Sequence, residues 1–434
     1  MNHLARLPNE ILVSILTTVI PDEDSYWTSE PMYSWGTVDP RPSIDNKIRL
    51  YQCALVNKAF YAAANPLLWR QPINETDQMN TIAEDTQSFL RCLESSCRPA
   101  FLVHQLCHLH VGDSDLLKQM VPFMPLMEPL KTFSMTGCHG WDTGPAKSLP
   151  PLSLGPTCTR LEKVSFWGVR FGDPEFVALT RWCGSVQDLT LEHCKEFTAT
   201  ALHAFLDTSR TCLTSLKLAQ NTWTGSSLTP LHLQQLTSLT LDQCQGVDNA
   251  FFGGSRFPLL TECHIKACPV DFGNAPETLL DFLRAHPLLR SLTLEKCKIN
   301  NAALAVLGPD VLPNLSDLDL SNNGPALSCH LLRQLIKTCV GLSKVNVSGC
   351  SVPSRNFPEL ERWSVRMGGF ALEDIVKIRN SNITKVFTAD DDRIREGERD
   401  YLPEIDLSIY GIEEDLGPDD DDGSAQVEGG SPWI

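Results

Sequence analysis

Leu289-Arg290-Ser291-Leu292-Thr293-Leu294-Glu295-Lys296-Cys297 decides how this chain folds. Written L-x-x-L-x-L-x-x-C, its fourth and sixth positions alternate to one side of a short strand. Its ninth sets a small polar or thiol side chain under the turn that follows. The frame recurs from Leu130, Val186, Leu213, Leu236, Leu260, Leu315 and Leu342, with looser copies from Leu106, Leu161 and Leu360. The ninth slot holds Cys138, Cys194, Cys244, Cys268, Cys297 or Cys350, with Asn221 and Asn323 in two copies. One unit cannot bury its leucines alone, so neighbours must stack into a solenoid.

Starts lie mostly 23 to 31 residues apart, the period of leucine-rich repeats. Between them, residues 173–182, 199–208, 276–285, 302–307 and 330–338 have the three- and four-residue apolar spacing of helices. The pattern therefore predicts an α/β leucine-rich-repeat horseshoe, with parallel strands on the concave side and helices on the convex side. Eleven repeats from Leu106 to about Arg366, at roughly 4.8 Å per strand, make an inner arc of about 50 Å. That length suits a folded protein, because a standard interface takes only about 800 Å² per partner.

Third, fifth and seventh positions of the frame face away from the leucines. They hold seven acids (Asp188, Glu192, Asp242, Glu262, Glu295, Asp317, Asp319) and six bases (Lys163, Lys217, Lys266, Lys344, Arg362, Arg366). Mixed charge favours a protein or peptide partner over a polyanion. The candidates for holding cargo are Trp167, Glu192, Lys217, Asp242, Lys266, Glu295, Asp319 and Arg366. Trp167 stands out because aromatic residues are enriched at interface hot spots. An ordinary solvated sheet with cross-strand ion pairs accounts for the same charges, at a few tenths to about 1 kcal/mol each.

The net charge of −17 is unevenly placed: from Ala389 to Ile434, sixteen acidic and three basic residues give −13, leaving −4 for residues 1–388. Neither part has the basic face of a nucleic-acid binder. No run of about 18 apolar residues offers a membrane span, and no secretory leader is read at the start. Six of the sixteen cysteines share one repeated inward slot and no C-x-x-C occurs, so thiols in a reducing compartment, cytoplasm or nucleus, are expected rather than disulfides or zinc. His104, His108, His110 and His139 lie close in sequence without an acid or thiol at ligand spacing. No phosphate loop, G-x-S-x-G turn or H-E-x-x-H helix is present, and Cys263, a possible nucleophile, occupies a leucine position. The chain reads as a non-enzyme with no cofactor and no metal.

At the front, Leu4, Leu7, Ile11, Leu12, Ile15, Leu16 and Val19 form a helical stripe, with Pro8 and Glu10 suited to its first turn. Residues 21–45, rich in Pro, Ser and Asp, read as an inserted loop; helical spacing resumes at Ile48 and runs to Ala64, where Asn65-Pro66 is predicted to stop it. Leu7-Pro8-x-Glu10-Ile11-Leu12, Leu55-Val56-Asn57-Lys58 and Leu67-Leu68-Trp69, in that order, resemble an F-box. The resemblance implies an all-α unit that docks on a Skp-type adaptor, and through it on a cullin–RING ligase. It assigns the docking surface to Leu7, Pro8, Ile11, Leu12, Ile15, Leu55, Val56 and Trp69. The insertion departs from the family's short turn. The expected layout is an F-box at 1–70, a linker helix within 71–105, repeats and a closing segment at 106–388, and an acidic, disordered tail at 389–434. The implied role is substrate recognition for a Skp–cullin–F-box ubiquitin ligase. The other reading is a leucine-rich-repeat scaffold or inhibitor outside any ligase, its first helices a simple cap.

Overall fold

The computed structural model describes residues 8–19, 49–70, 79–96, 98–112, 114–136, 160–170, 172–180, 183–224, 227–324, 327–350, 352–353, 356–360 and 368–383. Leu7, the 21–45 insertion, Cys138, His139, Arg362, Arg366 and the 389–434 tail lie outside them.

Helix α1 (Asn9–Val19), helix α2 (49–54) and helix α3 (Lys58–Arg70) make a small all-α unit. Its core is Leu12, Leu16, Leu50, Ala54, Ala63 and Ala64. Two expectations fail here. The helical stretch from Ile48 is broken at Leu55-Val56, because the Asn57 side chain accepts from the Ala59 and Phe60 N–H groups (2.9 and 3.0 Å) and starts a new helix. Nor does Pro66 end that helix; it sits inside α3, which runs on to Arg70. Packing of Leu67 and Leu68 on the box core, and an Asn65–Trp69 side-chain bond of 3.1 Å, hold the turn beyond it.

Helices α4 (Met79–Ser95) and α5 (Pro99–Val103) lead into the solenoid. Its strands are β1 (His108–Val111), β2 (Thr132–Thr136), β3 (Lys163–Trp167), β4 (Asp188–Glu192), β6 (Ser215–Ala219), β8 (Ser238–Asp242), β9 (Glu262–Lys266), β10 (Ser291–Glu295), β11 (Asp317–Asp319), β12 (Lys344–Asn346) and β13 (Gly369–Phe370). Strands β5 (Lys195–Thr198) and β7 (Thr222–Thr224) pair as a separate ribbon. Among the described residues the main sheet has eleven strands, and every neighbouring pair is parallel except β12 with β13. The strand expected from the frame starting at Leu360 falls on residues 361–367, outside the described residues. Among the described ones the sheet ends on Gly369–Phe370, running antiparallel, and Leu372–Asn380 forms the closing helix.

Registry follows the frame. Fourth-position residues pair directly, as in Leu189 with Leu216, Leu239 with Cys263 and Leu292 with Leu318. Return segments include α6 (Ser114–Met120), α7 (Asp173–Thr180), α8 (Ala199–Thr208), α9 (Asn249–Gly254), α10 (Pro276–Ala285), α11 (Asn301–Ala305) and α12 (Cys329–Thr338). Thr198, Asp248, Asn300 and Ser328 cap four of these with side-chain oxygens. One buried core runs from Phe89 to Ile378 and includes edge-to-face phenylalanines such as Phe252 and Phe282, centroids 5.2 Å apart.

The ninth slot is the repeat's lock. Thiols of Cys194, Cys244, Cys268, Cys297 and Cys350 reach the carbonyls of Phe166, Leu218, Leu241, Ile265 and Leu320, the sixth position one repeat back, at 3.0 to 3.6 Å. Asn221 and Asn323 do the same to Leu191 and Leu294 (2.7 and 2.6 Å). Each also accepts a backbone N–H, from Cys194 and Cys297 respectively. The eighth position is left-handed throughout, from Gly168 (φ 65°) to Gly349 (φ 72°), with Ala267 at 48° and Asn322 at 60°. That twist aims its N–H at the seventh carbonyl of the next repeat, as in Gln243 to Lys266 (2.7 Å). A second ladder starts in the box: the Arg70 carbonyl accepts from Cys107 N–H (2.9 Å), and the Cys107 carbonyl from Lys131 (2.8 Å). It continues repeat by repeat to Ser316 and Ser343 (2.7 Å).

Candidate protein-binding surfaces

Two surfaces carry the candidate residues. In the box, α1 buries Leu12 (1 % exposed) and Leu16 while leaving Ile11 (47 %) and Ile15 (44 %) outside. Pro8 is exposed beside them, its carbonyl accepting from Ile11 and Leu12 N–H. The break before Asn57 turns Leu55 (67 %) and Val56 (64 %) into an exposed apolar knuckle. Two residues assigned to docking lie elsewhere. Leu12 is a core residue of the box, facing α3 rather than solvent, because it shares the inward row with Leu16. Trp69 packs on the solenoid core with its ring 5.7 Å from Phe89, so it splices box to repeats.

On the sheet, burial alternates from β3 onward, as the frame requires, except that Ala219 in β6 and Thr293 in β10 are buried as well. At the front it does not. His108, His110, Thr132 and Ser134 are all buried, and the histidines bond across the strands, His108 to Thr132 (3.1 Å) and His110 to Ser134 (2.6 Å). Burial lowers the His110 pKa to about 4, so it stays neutral near pH 7. His104 Nδ1 lies 3.2 Å from the Leu126 carbonyl, and among the described residues no three side chains are set to hold a metal ion. The open face thus begins at β3 instead of spanning all the strands.

Along that face the described cargo candidates, all but Arg366, are half-buried and partly committed to each other. Trp167 packs edge-on against His193, centroids 5.7 Å apart. Lys217 Nζ pairs with Glu192 Oε1 at 2.6 Å. Burial pushes the Asp242 carboxyl up, against the pull of neighbouring Lys266, and Asp188 is raised the same way against Lys163. Glu295 accepts from Asn322 Nδ2 (3.0 Å), while Asp319 accepts from Asn346 Nδ2 (2.9 Å) and Ser321 N–H (2.8 Å). Asn322 and Asn346 were not among the candidates, because an amide partner one repeat on leaves no charge signal in the sequence. His264 is lowered by burial and bonds Thr293 Oγ1 at 2.9 Å. The Cys194 and Cys263 thiols are poor nucleophiles, because burial pushes both up to about 12. What the face presents is shape, hydrogen-bond groups and mixed charge.

Comparison with known proteins agrees on the front of the chain. Residues 4–75 match the F-box-like family. A solved internalin from Listeria monocytogenes is similar over 65 % of this chain and 91 % of its own, at 11 % identity and a TM-score of 0.32. No curated protein matches. The match at the front and the stacked, in-register strands described above make the chain an F-box-like helical unit followed by a leucine-rich-repeat solenoid, two modules that are generally protein-binding and non-catalytic. None of its described helices is long and apolar enough to cross a membrane.

Proposed function

We propose that this protein is the substrate-recognition subunit of a Skp–cullin–F-box E3 ubiquitin ligase. The F-box docks on a Skp-type adaptor through Ile11, Ile15, Leu55 and Val56, with Pro8 at the rim. The solenoid face from β3 onward holds a protein substrate, and partner enzymes transfer ubiquitin, so the chain supplies proximity rather than chemistry. The observation that carries this reading is the F-box-like match over a unit whose apolar residues are exposed in rows. The twelve cysteines whose side chains are described are free thiols, which accords with work in the cytoplasm or nucleus.

The test is co-purification with a Skp-type adaptor. Ile11→Asp with Leu55→Asp should weaken binding at least about 30-fold, a hot-spot-sized loss, with an unchanged melting temperature. Leu12→Asp is the wrong variant, because it breaks the box core. Failure of the unmodified protein to bind any Skp-type adaptor would leave the scaffold reading.

A further inference from the structure

Helix α2 repeats the arithmetic of α1. Each is read by which four-residue pair it buries. In α1, Leu12 and Leu16 face inward and Ile11 and Ile15, one position earlier, face out. In α2, Leu50 and Ala54 face inward, and the pair one position later, Tyr51 and Leu55, faces out. Residues four apart on a helix lie one above the other, and here the Leu55 N–H is bonded to the Tyr51 carbonyl at 3.2 Å. Tyr51 is 59 % exposed. It therefore extends the Leu55–Val56 knuckle by one helical turn, ahead of the short motif that marks the knuckle in the sequence.

We infer that Tyr51 is a docking residue for the Skp-type adaptor, the aromatic anchor of the row that Leu55 and Val56 continue. This rests on the F-box reading and deepens it. The occupant follows from continuity with the adaptor-facing residues of the same helix and turn, and from the chemistry of the side chain. A solvent-facing tyrosine contributes nothing to the box core, which closes on Leu50 and Ala54. At an interface it supplies a rigid apolar ring with a polar tip, loses little rotamer freedom, and belongs to the residue types that dominate binding energy. A pure core or solubility role for this position predicts the opposite: a polar replacement would be neutral in binding.

Titration of the full-length chain with the purified Skp-type adaptor tests this. Tyr51→Ser should lower affinity about tenfold or more, most of it in the dissociation rate, while Tyr51→Phe retains most of the binding. Neither should shift the melting temperature. Unchanged affinity in Tyr51→Ser, against an unmodified protein that does bind, would overturn the inference and leave the F-box reading standing. An unmodified protein that does not bind the adaptor overturns the F-box reading first, and this inference with it. A drop in melting temperature matching the drop in affinity would assign Tyr51 to the box's own stability and also overturn it.

Discussion

The box and the solenoid spend their apolar residues in opposite ways. In the solenoid, strand alternation sorts chemistry by position, so Leu216 and Leu218 go inside while Lys217 between them faces out. In the box, adjacent helical rows are both apolar, and only one of each pair finds a place in the core. A fold closed on itself needs no second apolar row; one that meets a partner does. Burial, not composition, separates a finished surface from an unfinished one.

Matched truncations sharpen that contrast most. Phe282→Ala, in the continuous solenoid core, should cost about 3–5 kcal/mol, whereas Leu55→Ala in the box should stay within about 0.5 kcal/mol. Urea unfolding of both variants gives the comparison, and equal losses would break it. Acid comes next. His286 is fully buried, with Nε2 accepting from Phe257 N–H (2.9 Å) and Nδ1 2.6 Å from the Phe282 carbonyl. Burial lowers its pKa from 6.5 to about 4. A depressed histidine contributes stability that is complete above the unfolded value and is lost as pH falls from about 6.5 towards 4, here about 3 kcal/mol at most. The described part of the box contains no histidine, so the sensitivity belongs to the solenoid. Denaturant midpoints between pH 7.5 and 4.5 should fall, and fall less steeply in His286→Gln. The smallest effect is a gain. Ala267 sits at φ 48°, and Ala267→Gly should raise stability by up to about 1 kcal/mol, offset in part by a freer unfolded chain; calorimetry reads it as a small rise in melting temperature.

The leucine frame made the solenoid readable because strand period and repeat period reinforce each other, and the ninth slot was readable because Cys and Asn recur there. The left-handed eighth position was not. Gly168, Asn322 and Gly349 hint at it, but His193, Gln220, Gln243, Ala267 and Lys296 occupy the same conformation without any residue type in common. The hydroxyls of Thr214, Thr237, Thr261, Ser316 and Ser343, each bonded to a carbonyl one repeat back, also escaped notice, since Ser and Thr suit any solvated loop. In the box the motif names the residues but not the rotation of each helix. For that reason Leu12 and Trp69 were grouped with Ile11 and Leu55, although one faces the box core and the other the repeats. Burial of His110 and Ser134 was hidden too, because alternation alone treats every strand of the face alike.

The carbonyl of Arg70 receiving the Cys107 amide has a consequence for how the two modules can be separated. A parallel stack has a raw first edge, ready to template against another chain, and here the end of α3 meets the backbone leading into that edge. Removing residues 1–70 would take away the Arg70 carbonyl and the Trp69 ring on Phe89 that join the box to the repeats, and leave the Cys107 amide without its partner. The box is better silenced by blunting its outer rows than by cutting it away.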